Sequence, residues 1–380
     1  MSAFSSRIVI YAIPSARDPG RYTIKNLGYF IALALSLDCC RPAGADELPE
    51  KYQIVANKGL DWLAKQQHKD GHWEGQGAKD AELHTALSGL ALLLEGSTVT
   101  QGKYAPHLNR AVDWLMSRSR YDGLIGAPKN KRETARALFA HGFALNFLAE
   151  AYGDEPRRAR RDAMQKTMSM AVRFCAANQS PHGGWSKKKD RSDLAVTIAM
   201  VQGLRVARNA GISVPKAIHT KAVGAITKAT TANGGVAPRL SKAGLRKGRE
   251  SPALAAGALV YMFTAGDCDN ADCKKWLAYC RLKISLDKAP PANADPYLHL
   301  YFGQALHALG EDGWVRAFFQ PGVQPMTWSA YRTWRFDHLQ KTQRADGSWA
   351  RIDRRRGPVF ATSVNLIVMQ QDRQLLALFR

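Results

Sequence analysis

Apolar residues return every three to four positions along most of the chain, and they do so in two alternating kinds of segment. The first kind is amphipathic and ends in polar residues: GLDWLAKQQ, AVDWLMSRS, AVRFCAANQ, AVGAITKAT, KKWLAYCRL and FDHLQKTQR. The second is richer in small residues and apolar over most of its surface: ELHTALSGLALLLEG, ETARALFAHGFALNFLAEAYG, DLAVTIAMVQGLRVARNAG, SPALAAGALVYMFTAG, PYLHLYFGQALHALG and VFATSVNLIVMQQ. A helix that is apolar nearly all round is one buried on several sides. Gly96, Gly153, Gly211, Gly266 and Gly310 follow members of the second set, where a left-handed C-cap is expected. Strand-like alternation is almost absent. The pattern predicts twelve helices as six hairpins, alternately outer and inner, closing into an all-α, α6/α6 toroid.

Between the paired helices lies a recurring turn. Gln67, Gly71 and Trp73 in QQHKDGHWEG return as Gln179, Gly183 and Trp185 and again as Gln343, Gly347 and Trp349, giving Q-x-x-x-G-x-W three times. Weaker copies fall at Tyr121-Asp122-Gly123-Leu124 and Asn233-Gly234-Gly235-Val236, with Gly235 taken as the key glycine, and a degenerate one near Leu286-Asp287. A period of roughly 50–60 residues marks a repeat architecture. The repeats span about 50–100, 105–153, 162–211, 215–266, 270–310 and 328–375, in a single domain covering 46–380. The motif reads as structural. Glycine reverses the backbone without a Cβ clash, tryptophan folds back over the turn, and the glutamine amide meets backbone groups left unpaired at helix ends.

Composition changes the picture in two ways. With 380 residues, 46% hydrophobic and 23% charged, the chain is globular, but 54 Lys+Arg against 32 Asp+Glu leave +22 at neutral pH. Such a balance points to an acidic partner: an anionic envelope surface or an acidic glycan. Nucleic acid is not expected, because the basic runs lack interleaved aromatics. At the N-terminus, Arg21 and Lys25 precede the apolar stretch Leu27 to Leu37, then Ala43-Gly44-Ala45, the order of a secretory signal with cleavage after Ala45. Residues 1–45 are thus read as a signal region, and the mature protein as periplasmic or extracellular. Of the remaining cysteines, Cys268 and Cys273 are placed to close a small disulfide loop in an oxidising compartment, although Cys175 and Cys280 leave other pairings open. No metal site and no cofactor are expected.

The Q-x-x-x-G-x-W repeats on helical hairpins resemble the QW motifs of squalene–hopene cyclases and the related prenyltransferase and squalene oxidase repeats, over roughly 50–375. The stretch from Tyr297-Leu298-His299 through Asp346-Gly347-Ser348-Trp349 to Phe360-Ala361-Thr362-Ser363 looks like the single-toroid, squalene-cyclase-like bacterial proteins of unknown function. The resemblance implies an α6/α6 barrel with a central cavity; it does not imply an activity. The D-x-D-D acid of hopene-type cyclases and the D-D-x-x-D magnesium site are missing, since the chain has no Asp-Asp pair. Arg132-Glu133-Thr134-Ala135 is similar to the family's D-D-T-A but offers one carboxylate. The D-x-C zinc motif of protein prenyltransferases and the G-C-G-E-Q thioester motif are absent as well.

Inner helices open with an acid, Glu82, Glu133, Asp193, Glu250 or Asp295, and these carboxylates are expected chiefly as helix caps. Their second reading is a polar rim around one mouth of the barrel. Candidate catalytic groups are Glu133, Glu82, His84 and His299; candidate binding groups on the rim are Asp193, Glu250, Asp295, Tyr297 and Tyr301. Three functions compete: a toroid binding an apolar or amphipathic ligand or an envelope partner, a terpenoid- or lipid-processing enzyme, and an enzyme acting on acidic polysaccharide. Asn178-Gln179 through Gly183-Gly184-Trp185-Ser186-Lys187 resembles a motif of some pectate lyases, which belongs to the third.

Overall fold

Burial separates the two helix classes as their sequences require. In α1 (Glu50–Lys65) the buried residues are Tyr52, Val55, Ala56, Gly59, Leu60 and Leu63, one stripe at helical spacing. In α2 (Ala81–Leu94) every residue from Leu83 to Leu94 is buried. The alternation continues through α3 (Ala105–Ser117), α4 (Lys131–Tyr152), α5 (Arg158–Asn178), α6 (Leu194–Asn209), α7 (Lys216–Lys228), α8 (Pro252–Thr264), α9 (Ala271–Arg281), α10 (Pro296–Phe318), α11 (Trp328–Thr342) and α12 (Gly357–Met369). The computed structural model describes residues 48–75, 80–245, 249–264, 271–290, 295–318, 326–350 and 357–373. The expected cleavage site at Ala45, Cys268 of the expected disulfide and Gly266 lie outside these residues.

The even-numbered helices pack side by side in chain order, and α12 returns to α2, so the inner ring closes. Each outer helix packs on the inner helix before it, with α1 against α12 completing the circle. This is an α/α toroid of six hairpins. The backbones of α4 and α6 are in contact: a Cβ on Gly142 would lie 2.4 Å from the Ala199 carbonyl, and one on Gly203 2.4 Å from the Gly142 carbonyl.

The turn motif is a clamp between neighbouring repeats. Gly71 (φ 104°) approaches α3 so closely that a Cβ would sit 2.4 Å from the Arg110 carbonyl oxygen. Gly347 makes the same approach to Lys58 of α1, which closes the ring. The Gln67 amide donates to its own turn at the Gly71 carbonyl (2.8 Å) and to His107 of α3 (2.9 Å). Gln179 repeats this on Gly183 and Ile218, and Gln343 on Gly347 and Val55. The indole N–H groups of Trp73, Trp185 and Trp349 donate to the carbonyls of Leu63, Cys175 and Leu339 in the closing turns of α1, α5 and α11. Their backbone N–H groups donate to buried threonines of the next inner helix, Thr85, Thr197 and Thr362.

The weaker copies differ in instructive ways. In the fourth repeat the left-handed glycine against the next outer helix is Gly234, not Gly235; a Cβ on Gly235 would instead meet Glu250. In the second, Ile125 takes the tryptophan position and its N–H donates to Nδ1 of His141 (3.0 Å). Burial pulls the His141 imidazole down to about 4, so it is neutral and keeps its proton on Nε2. In the fifth, Lys288 replaces the glycine, and Trp334 of α11 donates its indole N–H to the Lys288 carbonyl (2.7 Å).

Three local expectations need correcting. Gly153 ends α4 in right-handed helical geometry (φ −57°) rather than as a left-handed cap. Gly310 breaks α10 internally (φ 67°, ψ −173°) instead of ending it. A small antiparallel sheet, β1 (Arg191–Asp193), β2 (Arg239–Ser241) and β3 (Gly244–Leu245), leads into α6, with Ser192 facing Leu240 and Asp193 facing Arg239. Three residues are too few to show alternation, so no periodicity announced it.

Candidate functional site

Because every inner helix follows the same kind of turn, all six N-termini share one end of the barrel, and the two cavities described here open there. The first, of about 380 Å³, lies between the starts of α2 and α4 and is lined by Asp80, Glu82, Arg118, Lys129, Glu133 and Arg136 with small apolar residues beneath. Asp80 pairs with Arg136 (2.6 Å) and Glu82 with Arg118 (3.2 Å). Asp80 holds a left-handed backbone (φ 57°, ψ 37°), a conformation that aspartate tolerates better than most side chains.

Glu133 lines this charged lobe, but its carboxylate is engaged at the helix start. Its Oε2 accepts from the Lys129 N–H (2.6 Å) and its Oε1 from the Asn130 side chain (2.7 Å), while Asn130 accepts from the N–H groups of Arg132 and Glu133. This is a reciprocal cap. The backbone N–H of Lys129, above all, holds the Glu133 carboxyl below the usual glutamate range.

The second cavity, of about 320 Å³, is aromatic. Phe139, Ile198, Leu254, Tyr297 and Tyr301 line it, with Asp295, Pro238 and Ser251 at its edge. Phe139 meets Tyr297 edge-on at 5.4 Å between ring centres, Tyr297 stacks with Tyr301 at 6.2 Å and meets Phe360 at 5.3 Å. Tyr297 and Tyr301 are one helical turn apart and so share a face. Among the described residues the buried Tyr301 hydroxyl has no hydrogen-bond partner, and burial raises it well above the usual phenol range. An unpaired buried hydroxyl costs about 1–3 kcal/mol, a debt that a ligand atom can relieve.

The remaining candidates divide. Asp295 accepts from the Tyr297 N–H (3.0 Å), and Asp193 from those of Ala195 and Val196 (3.2 and 3.3 Å), so both act as caps. Burial nevertheless raises Asp193 above the usual aspartate range. Glu250 packs on Gly235, away from the lining of either cavity. His84 gives its Nδ1 proton to the Asp80 carbonyl (2.8 Å) and sits edge-on to Phe360, below the charged lobe. His299 faces outward between α10 and α11, with Nδ1 2.9 Å from the Tyr331 hydroxyl, and burial holds it well below the usual histidine range. It shares no surface with the mouth.

Sequence reasoning missed Asp80, Arg118, Arg136 and Phe139. Phe139 is readable as an inner-helix aromatic, whereas the arginines become site residues only once neighbouring repeats meet. It also missed the one convergence of metal-ligand types among the described residues: His68, His72 and Glu74, whose ligand atoms lie within 4.8 Å of one another.

No known family profile matches the chain, and no curated protein matches it by sequence. Solved structures do match. The α-1,6-mannanase GH76A of Salegentibacter sp. HEL1_6 superposes with a TM-score of 0.60 at 8% identity, over 85% of this chain and 99% of the mannanase. A D-mannose isomerase gives 0.55 at 11% identity over 88% and 99%. The type II terpene cyclase MstE from Scytonema, with geranylgeranyl dihydroxybenzoate bound, gives 0.53 at 13% identity over 90% and 100%. At such identities what is shared is the α/α-toroid fold.

Proposed function

We propose that the toroid binds an amphipathic molecule across its mouth, polar end in the charged lobe and apolar body on the aromatic lobe. The observation that carries this reading is that one helix borders both lobes: Ala137 and Ala140 of α4 line the first and Phe139 the second. Their volumes suit a small molecule. Alkene protonation of the cyclase kind is disfavoured. It needs a carboxyl that carries its proton, and hydrogen bonds hold Glu133 ionised.

The clamp of Gln67, Gly71 and Trp73 supports relating the repeat to squalene-cyclase-like toroids, with the barrel kept and the acid lost. Export after Ala45 belongs to the same proposal, and the +22 charge suits an anionic envelope surface. Native mass spectrometry of the chain purified from its own cells tests both parts. The expected result is a mass beginning after Ala45 and carrying a bound small molecule, which Phe139→Ala and Arg136→Gln release. A clean apo mass would sink the ligand reading; retention of residues 1–45 would sink export.

A second reading, action on a glycan, draws on the three carboxylates Asp80, Glu82 and Glu133 lining one lobe. Release of reducing ends from an acidic polysaccharide, abolished by Glu82→Gln, is its signature.

A further inference from the structure

The first copy of the turn motif carries three side chains that the other two full copies lack, His68, His72 and Glu74, beside Asp70, which the sixth repeat shares as Asp346. Framework residues Gln67, Gly71 and Trp73 alternate with His68, Asp70, His72 and Glu74. The matching positions are Ser180, His182, Gly184 and Ser186 in the third repeat, and Arg344, Asp346, Ser348 and Ala350 in the sixth. The clamp therefore needs none of these four side chains. It does fix where they stand: the His68 N–H donates to the His72 carbonyl (2.9 Å), bringing residues 68 and 72 together. Corresponding backbone bonds join Ser180 to Gly184 and Arg344 to Ser348. In this repeat alone both positions are histidine.

Their imidazoles stack at 4.3 Å with 11° between planes, and both Nε2 atoms turn toward one carboxylate. His68 Nε2 lies 3.6 Å from Glu74 Oε1, and His72 Nε2 3.6 Å from Glu74 Oε2. His72 Nδ1 is 2.6 Å from Asp70 Oδ1, to which it donates. With its Nδ1 hydrogen-bonded to Asp70, His72 turns Nε2 toward the same carboxylate that His68 Nε2 faces, so two imidazole nitrogens and a carboxylate converge, all within 4.8 Å of one another.

We propose that His68, His72 and Glu74 form a binding site for a divalent transition-metal ion, with zinc as its natural type, at the rim of the barrel mouth. The donor set of two imidazoles and one carboxylate is one that zinc accepts, and it leaves a fourth position for water or an oxygen of an incoming ligand. Donors at about 2.0–2.2 Å around a tetrahedral ion stand roughly 3.3 Å apart; the three donor atoms here lie within 4.8 Å of one another, so binding an ion draws them together and tilts the two rings out of their stack. The Asp70 carboxylate on the far nitrogen of His72 supplies the outer-shell partner that orients a metal-bound imidazole.

The opposite face of the His72 ring stacks on Trp114 at 5.0 Å, which restrains its rotation. The Arg118 guanidinium also lies over Trp114, 5.4 Å from the ring centre, and Arg118 pairs with Glu82 in the charged lobe. The metal site is thus joined to the mouth by one continuous set of contacts, and it stands or falls separately from the ligand reading.

Titration of the metal-stripped full chain with Zn²⁺, followed by calorimetry and by metal analysis after gel filtration, tests the proposal. One ion per chain is expected, with affinity lowered at least 100-fold by His68→Ala, His72→Ala or Glu74→Ala. Asp70→Asn is expected to weaken binding about 10–100-fold, as loss of an outer-shell partner does. His182→Ala, at a corresponding turn, leaves the affinity unchanged. Helical circular dichroism of each metal-free variant checks that the toroid still forms. Absence of stoichiometric binding, or binding that His72→Ala leaves intact in a folded protein, overturns the assignment.

Discussion

At the scale of single residues, similar glycines carry opposite consequences. Gly71 has a left-handed backbone and a carbonyl 2.4 Å from where its Cβ would lie, so Gly71→Ala must push α3 away. Gly224 sits inside α7 with no atom of the described residues within 4 Å of a Cβ. We expect Gly71→Ala to destabilise by about 2 kcal/mol or more and Gly224→Ala to stabilise by about 0.5–1 kcal/mol, as measured by urea unfolding. The threonine partners of the motif supply another test. Thr197→Val keeps the shape of the side chain but strips the Trp185 N–H of its acceptor inside the core. A loss of about 1–3 kcal/mol is the expected cost of that orphaned donor; a change within 0.5 kcal/mol would show that the contact is idle.

Between elements, a buried carboxylate ties neighbouring outer helices. Glu155, in the link from α4 to α5, is fully covered and receives Arg157 (2.8 Å) and Arg160, while Arg160 also reaches Asn109 (2.7 Å) and Asp113 (2.9 Å) on α3. The Arg157 side chain, first of all, depresses the Glu155 carboxyl to about 2. The folded value lies below the unfolded one, so the contribution is full above roughly pH 4.5 and disappears as pH falls through 2. Glu155→Gln should lower stability at pH 7 by about 1–2 kcal/mol, allowing for solvent around the exposed Arg157, and flatten the acid limb between those pH values. Thermal melts from pH 7 to pH 2 read this directly. An unchanged acid limb would mean that the arginines do not hold the charge.

For the whole molecule the decisive feature is closure. Gln343 and Gly347 of the last repeat clamp Val55 and Lys58 of the first, and α12 lies against both α1 and α2. An open array of repeats tolerates loss of a terminal unit, because each repeat contacts only its neighbours. A ring has no terminal unit. Removing residues 46–66 would bare the buried face of α12 and leave the Gln343 clamp without its target. We therefore expect this truncation to abolish the cooperative unfolding transition seen by circular dichroism. An eleven-helix protein that still melts in one sharp step would contradict the closed ring.

Much of this was legible in the chain itself. Helical period, small-residue inner segments and three copies of Q-x-x-x-G-x-W determine twelve helices, their pairing and their burial, because those properties depend on residues close in sequence. The cap at Glu133 is equally local. Other features are decided only by contacts between repeats. Asp80 meets Arg136 of α4, and Glu82 meets Arg118 at the end of α3. His299 turns to α11 rather than to the cavity, and Phe139 joins Tyr297 across the barrel. The pair His68 and His72 lies between these cases: four residues apart on a loop, they mean little until the turn folds them face to face over Glu74. Local spacing determines the elements, while the mouth and its chemistry arise from the angle at which the ring brings distant helix ends together.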